Sequence, residues 1–327
     1  NGSTQSINVG FQPDFTWIKT RSGTTGTEGH RLQDAVRGST KYLESNGTAL
    51  EGTQAQGVTS FTSTGFNLGT DGSYNYNTAP IVSWNWKAGT TSGIVQGGAS
   101  ITPSAYSFNQ TSGFSIIKYQ GTGANATVPH GLNAVPKMIL FKSLANSISW
   151  IVYSSQLNIS SSNCLRLNGT NAAFTESAWN DTRPTTSVFS LGPHNEANNS
   201  SGETIAYCFA DVQGFSKMGS YVGNGSTNGT FVYTGFKPAF VLYKKSSGTE
   251  NWFMHDNKRQ GYNPDNEYLF PDLSNAEGSL NRINLLSNGF KATTSDGGIN
   301  GSGATYIFMA FAENPITSST GVPSTAR

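Results

Sequence analysis

Apolar positions along this chain fall into short, dense runs of four to eight residues, separated by Gly, Ser, Thr and Asn, the pattern of strands joined by turns. The fullest version opens with Gly235-Phe236-Lys237-Pro238 and Ala239-Phe240-Val241-Leu242-Tyr243-Lys244. It closes with Thr305-Tyr306-Ile307-Phe308-Met309-Ala310-Phe311-Ala312. The same order of signals begins at Gly10-Phe11-Gln12-Pro13 and again at Gly131, and the interval from the proline to the next run-ending lysine is conserved inside the chain: Pro13/Lys19, Pro136/Lys142, Pro238/Lys244. Self-similarity of this kind outranks any local assignment and predicts three copies of one unit.

Each copy reads as five to seven short strands. In the first they fall at residues 14–19, 30–36, 41–43, 58–61, 66–68 and 81–86. In the second they fall at 114–119, 138–141, 150–153, 165–167, 188–191 and 205–209, and in the third at 240–243, 252–255, 268–270, 283–286, 290–292 and 306–311. Residues 275–286 could carry a turn or two of helix, Gly65 suits a hairpin turn with positive φ, and residues 88–113 read as a Gly/Ser/Thr-rich connection. The expected fold is all-β: three tandem antiparallel β-sandwich repeats of jelly-roll or lectin-like kind. The expected boundaries are 1–89, 90–212 and 213–315, with a tail at 316–327. Units this small need packing between copies. Asn1-Gly2-Ser3-Thr4 matches Asn224-Gly225-Ser226-Thr227, so the pattern places a further strand ahead of Asn1 in a longer chain.

Composition narrows the function. Charged residues make up 12% of the chain and the net charge is +1, against ~25% charged in ordinary domains. No basic cluster stands out, which argues against nucleic acid, and no apolar run reaches the ~20 residues of a membrane-spanning helix. Cys164 and Cys208 both lie in the second copy, so the unit does not depend on a disulfide, and two buried thiols are expected.

Candidate chemistry is sparse. His30 occupies the place of Trp150 and Trp252, a position that asks for a flat ring rather than a base. Asp34 and Asp256 are each followed three residues later by arginine (Arg37, Arg259), the spacing of a structural pair; Asp211 and Glu313 also correspond. No metal-ligand or cofactor pattern appears. The best binding candidate is the loop before each closing strand, with Asp71, Tyr74, Asn75 and Tyr76 in the first copy, Asn195 and Asn198 in the second, and Asp296 and Asn300 in the third. Amides and carboxylates beside aromatic rings suit sugar hydroxyls, although hairpin turns use the same residue types for backbone reasons. Residues 23–29 form a second candidate loop.

Several phrases resemble a family of repeat proteins encoded by marine bacteriophages of cyanobacteria and other ocean bacteria. They are Gly10-Phe11-Gln12-Pro13-Asp14-Phe15-Thr16-Trp17-Ile18-Lys19, His30-Arg31-Leu32-Gln33-Asp34-Ala35-Val36-Arg37-Gly38, Ser83-Trp84-Asn85-Trp86-Lys87-Ala88-Gly89, Ala206-Tyr207-Cys208-Phe209-Ala210-Asp211 and Gly219-Ser220-Tyr221-Val222-Gly223-Asn224-Gly225-Ser226. The resemblance implies a non-enzymatic virion component on the particle surface, of tail-fibre or appendage type, and supplies no catalytic residues. The expected partners are other virion proteins, further copies of the chain (a trimer above all, for avidity) and host-surface glycans. A capsid decoration protein, a polysaccharide-degrading enzyme and a secreted carbohydrate-binding module are the alternatives.

Overall fold

Successive side chains of a strand point to opposite faces, so a run that is apolar at every position needs cover on both. The structure, a computed structural model describing residues 1–22, 28–260 and 262–313, supplies that cover. Residues 1–89 hold β1 (Gln5–Asn8), β2 (Phe15–Thr20), β3 (Arg31–Asp34), β4 (Lys41–Tyr42), β5 (Gly52–Thr53), β6 (Val58–Thr62), β7 (Gly65–Leu68) and β8 (Ile81–Trp86), with one helical turn, α1 (Gly72–Asn75). The middle of the chain holds β9 (Ala105–Asn109), β10 (Phe114–Gln120), β11 (Ala126–Pro129), β12 (Pro136–Ser143), β13 (Ile151–Ser154), β14 (Asn163–Arg166), β15 (Phe174–Thr175), β16 (Val188–Leu191) and β17 (Glu203–Ala210), with α2 (Asn195–Asn198). The last part holds β18 (Ser216–Val222), β19 (Phe231–Tyr233), β20 (Pro238–Lys245), β21 (Trp252–Asp256), β22 (Asp265–Tyr268), β23 (Gly278–Leu286), β24 (Gly289–Ala292) and β25 (Thr305–Ala312). The fold is all-β and its sheets are antiparallel.

One pairing pattern occurs in each part of the chain. Trp17 lies opposite Leu32 on one side and Trp84 on the other; Leu140 lies opposite Val152 and Tyr207; Leu242 lies opposite Met254 and Met309. The inner sheets are therefore β3-β2-β8, β13-β12-β17-β10 within a longer sheet, and β21-β20-β25-β18. Outer sheets β1-β7-β6, β11-β16 and β19-β24-β23-β22 accompany them. On β20, Val241 and Tyr243 enter the core shared with its outer sheet, where Val232, Ile283 and Phe290 also lie. Phe240 and Leu242 point the other way, into a core common to all three parts.

That common core is where the inner sheets meet. Trp86, Phe209 and Phe311 hold equivalent registers and touch one another, with ring centroids 6.3 Å (Trp86–Phe209), 5.6 Å (Trp86–Phe311) and 6.1 Å (Phe209–Phe311) apart. Phe15, Trp17, Met138, Leu140, Phe240 and Leu242 surround them, all buried. Each large side chain removed from water in this way contributes roughly 1.5–3 kcal/mol. The cover that a single unit cannot provide for its inner sheet comes from the other two.

Four local expectations change. Residues 275–286 are not helical, because β23 alternates Ile283 and Leu285 inward while Leu280 stays 53% exposed. The connection at 88–113 contains β9, which pairs with β10. The loop at 71–78 contains the turn of helix α1, whose first turn Asp71 caps by accepting from the Ser73 amide. Gly65 is required by crowding instead of positive φ: a Cβ there would stand 1.8 Å from the Ile7 carbonyl oxygen of β1. Cys164 and Cys208 are free and buried. The loop at 23–29 falls largely outside the described residues, and the tail at 316–327 wholly so.

Candidate functional site

Perturbed titration marks functional sites, and several ionisable groups of this chain are buried. Lys19, Lys142 and Lys244 are all fully buried, and burial pulls each down to a pKa of about 8. Each Nζ donates to the carbonyl of its own next residue: Thr20 at 2.9 Å, Ser143 at 3.0 Å and Lys245 at 2.6 Å. Each also reaches one carbonyl in another part of the chain. Lys19 bonds Ser274 at 3.2 Å, Lys142 bonds Thr48 at 3.3 Å, and Lys244 bonds Thr170 at 3.2 Å. The first part thus holds the third, the second holds the first, and the third holds the second.

The flat-ring position repeats this cyclic sense. Trp150 Nε1 donates to the Glu44 carbonyl at 2.7 Å, and Trp252 Nε1 donates to the Arg166 carbonyl at 2.9 Å. His30 stands 2.9 Å from the Phe270 carbonyl through Nε2, while its Nδ1 is 2.8 Å from Trp17 Nε1. An indole nitrogen is a donor only, so Nδ1 accepts and Nε2 carries the proton that bonds Phe270. Burial lowers the His30 pKa to about 3, keeping the ring neutral. His30 therefore does an indole's work.

The acid–arginine pairs are also structural. Arg37 and Asp34 are bonded side chain to side chain, both essentially unexposed, and Tyr207 donates to the same carboxylate at 2.6 Å. Burial opposes the Arg37 charge, but Asp34, Tyr207 and Glu51 outweigh it and raise its pKa. Arg259 bonds Asp256 at 2.7 Å, and Trp84 Nε1 donates to that carboxylate at 3.1 Å. By register, the third set is Ser154, Leu157 and Met309: where the acid is gone, the arginine and the polar donor are gone as well. Asp211 is taken up by the Met218 amide at 2.7 Å, and Glu313 by Lys237 at 2.6 Å. Burial acts to raise the Asp256 pKa, but Arg259 and backbone amides overcome it and the net shift is downward. The Lys237 hydrogen bond is the main influence lowering that of Glu313. Among the described residues, no cluster of three His, Cys, Asp or Glu side chains could hold a metal ion.

The loops before the closing strands divide in two. Asn75, Asn198 and Asn300 are buried, and their amides hold backbone. Asn198 donates to the carbonyls of Ala124 (2.6 Å) and Gly192 (3.0 Å) and accepts from the Thr122 amide (2.7 Å). Asn300 does the same with Ser226, Thr294 and Asn224, and Asn75 with Ser3 and Gly69. Tyr74 is buried, its hydroxyl bonded by Gln33. Toward solvent stand Asn195 and Asp296, the latter also held by Arg282 at 2.6 Å, with Asp71 and Tyr76 partly exposed. These four, rather than the buried asparagines, can meet a ligand. Their recurrence at matching positions was visible in the sequence, but not whether each amide holds backbone or a ligand.

No curated protein and no solved structure matches this chain. Over residues 1–315 it matches a family described as a domain of unknown function (DUF7483), and the chain belongs to that family.

Proposed function

We propose that this chain is a non-enzymatic structural protein of a virion, an appendage or tail-fibre component that meets the host surface. It would consist of three copies of one β-sandwich, at 1–89, 90–212 and 213–315, set about a common axis. The supporting observation is the use made of buried ionisable groups: Lys19, Lys142, Lys244, His30, Asp34 and Asp256 all tie one part of the chain to another or brace the common core. A glycosidase needs a carboxyl with a raised pKa facing a second across a cleft. Asp256 and Glu313 do border one cavity, but both are shifted downward by their basic partners. A neutral surface rich in Gly, Ser, Thr and Asn suits an extracellular particle. The internal arrangement would supply the multivalency otherwise expected of a homotrimer. Host contact, to glycans in this reading, would run through the exposed Asn195 and Asp296 and the partly exposed Asp71 and Tyr76.

Immunogold labelling of intact phage particles with serum against this chain tests the reading. Gold at the tail or its fibres is the expected result. Gold over the head would make it a decoration protein and end the host-contact reading; particles without gold would end the virion reading altogether.

A further inference from the structure

The closing strands β8, β17 and β25 are equivalent in register, but their surroundings differ. Strand β17 lies between β12 and β10, and β25 lies between β20 and β18. Among the described residues β8 pairs with β2 alone, leaving its other edge open. Seven of eight residues are buried in β17 and in β25, against two of six in β8. An open edge presents unpaired N–H and C=O groups, and proteins usually blunt such edges with charge or proline. The sequence Ile81-Val82-Ser83-Trp84-Asn85-Trp86 has neither.

Two cavities flank this edge, one on each face of the strand. The larger, about 450 Å³, lies on the common-core side beside Val82, Trp84, Trp86, Phe240 and Phe311. The other, about 270 Å³, lies on the outer side beside Ile18, Tyr74, Ile81 and Ser83. A strand laid along the edge would send alternate side chains into the two spaces.

The path of such a strand is marked at Asn1. In the second copy β10 runs into Thr122 and Gly123, whose amides bond Asn198 at Oδ1 (2.7 Å) and at its carbonyl (2.8 Å). In the third, β18 runs into Asn224 and Gly225, bonded likewise by Asn300 at 2.9 Å and 2.8 Å. In the first copy, the nitrogens of Asn1 and Gly2 bond Asn75 at Oδ1 (3.2 Å) and at its carbonyl (3.0 Å). Asn1 thus sits where the other two copies have just left the covering strand.

We propose that the open edge of β8 is the seat of a seven-residue strand, antiparallel to β8 and joined covalently ahead of Asn1. The two covering strands present define its chemistry. Opposite Trp86 and Trp84 they place Phe114 and Ile116, or Ser216 and Met218, facing the common core. Opposite the counterpart of Ile81 they place a tyrosine, Tyr119 or Tyr221. Those hydroxyls donate to the carbonyls of Ala197 (2.6 Å) and Ile299 (2.9 Å), so the seated tyrosine would bond the carbonyl of Tyr74, which lines the outer cavity.

The test fuses Phe-Ser-Ile-Ile-Lys-Tyr-Gln-Gly, the sequence of residues 114–121, ahead of Asn1, beside a shuffled extension of the same composition. Amide exchange across residues 81–86 is expected to slow by about a hundredfold, with Tm rising by about 5 °C or more. The shuffled extension should do neither, and Tyr→Phe within the fused segment should lose part of the gain. Unchanged exchange and Tm, or equal effects from the shuffled segment, overturn the proposal. Protection by the free octapeptide but not by the fused one also overturns it, because the strand would then come from a separate chain.

Discussion

Replacing Arg37 by leucine isolates the physics of the buried pairs. Arg37 donates to Asp34, to the Leu32 carbonyl at 2.9 Å and to Tyr207 at 3.2 Å, with its side chain 1% exposed. Arg37→Leu leaves the Asp34 carboxylate, itself 0% exposed, with the residue-37 amide and the Tyr207 hydroxyl but no counter-charge. Removing one partner of such a pair costs about 3–5 kcal/mol, because a buried charge is left uncompensated. The chain carries its own apolar version of this site in Ser154, Leu157 and Met309. The triple variant Asp34→Ser/Arg37→Leu/Tyr207→Met copies it, removing the charge and the polar donor together. Its cost should fall to about 1–2 kcal/mol, the scale of imperfect repacking, because Tyr207 still gives up its ring contact with Phe15 at 4.5 Å. Equilibrium unfolding in guanidinium chloride measures both. A triple variant as unstable as Arg37→Leu alone would refute the reasoning, since the damage would then come from lost shape and not from stranded charge.

Asp272 accepts from the Trp252 amide where Asn46 and Asn168 accept from His30 and Trp150, and among the described residues its buried Oδ2 finds no hydrogen-bond partner. Burial raises its pKa to about 7, well above an unfolded aspartate, so its contribution is complete below about pH 4 and is lost as pH rises through 7. Asp272→Asn should stabilise by roughly 1–3 kcal/mol at pH 8 and flatten that decline, as read by Tm against pH. For His30 the folded pKa lies below the unfolded one, so its stabilisation is present above about pH 6.5 and lost as pH falls toward 3. His30→Trp should move the acid-unfolding midpoint to lower pH, and an unmoved midpoint would separate His30 from acid unfolding. Asn198→Ala strips two carbonyls and one amide of their partners and should cost about 2–4 kcal/mol; thermal unfolding reports it, and a loss below 1 kcal/mol would contradict the framework role.

The all-β class and the strand centres were legible because strands such as β12, β17, β20 and β25 are covered on both faces and so read as near-continuous apolar runs. His30 was legible because the chain supplies its own internal comparison with Trp150 and Trp252. Strands β1, β11 and β19 were not, being only three or four residues long with partners far along the chain, and β9 was hidden in a Gly/Ser/Thr-rich connection. Residues 275–286 misled because Leu280, Ile283 and Leu286 carry a helical spacing, while burial follows the alternation of Ile283 and Leu285. The destinations of Lys19, Lys142 and Lys244 could not be read at all: the sequence gives their recurrence, but a carbonyl acceptor has no side-chain signature. The same holds for Asn75, Asn198 and Asn300, where a buried amide and a sugar-binding amide are one residue type.

The apolar set at Ser154, Leu157 and Met309 shows what freedom a single chain holds. In an oligomer of identical subunits, one codon change is copied to every equivalent place, so an acid can be lost only if all its counterparts lose theirs in the same step. Here the three places answer to separate codons. One holds Ser154, Leu157 and Met309 where the other two hold the ion pairs Asp34–Arg37 and Asp256–Arg259. The loops before the closing strands are equally independent: His194 stands where Asp71 and Asp296 share an aspartate. Such a protein can change one of these positions and keep its counterparts as they are.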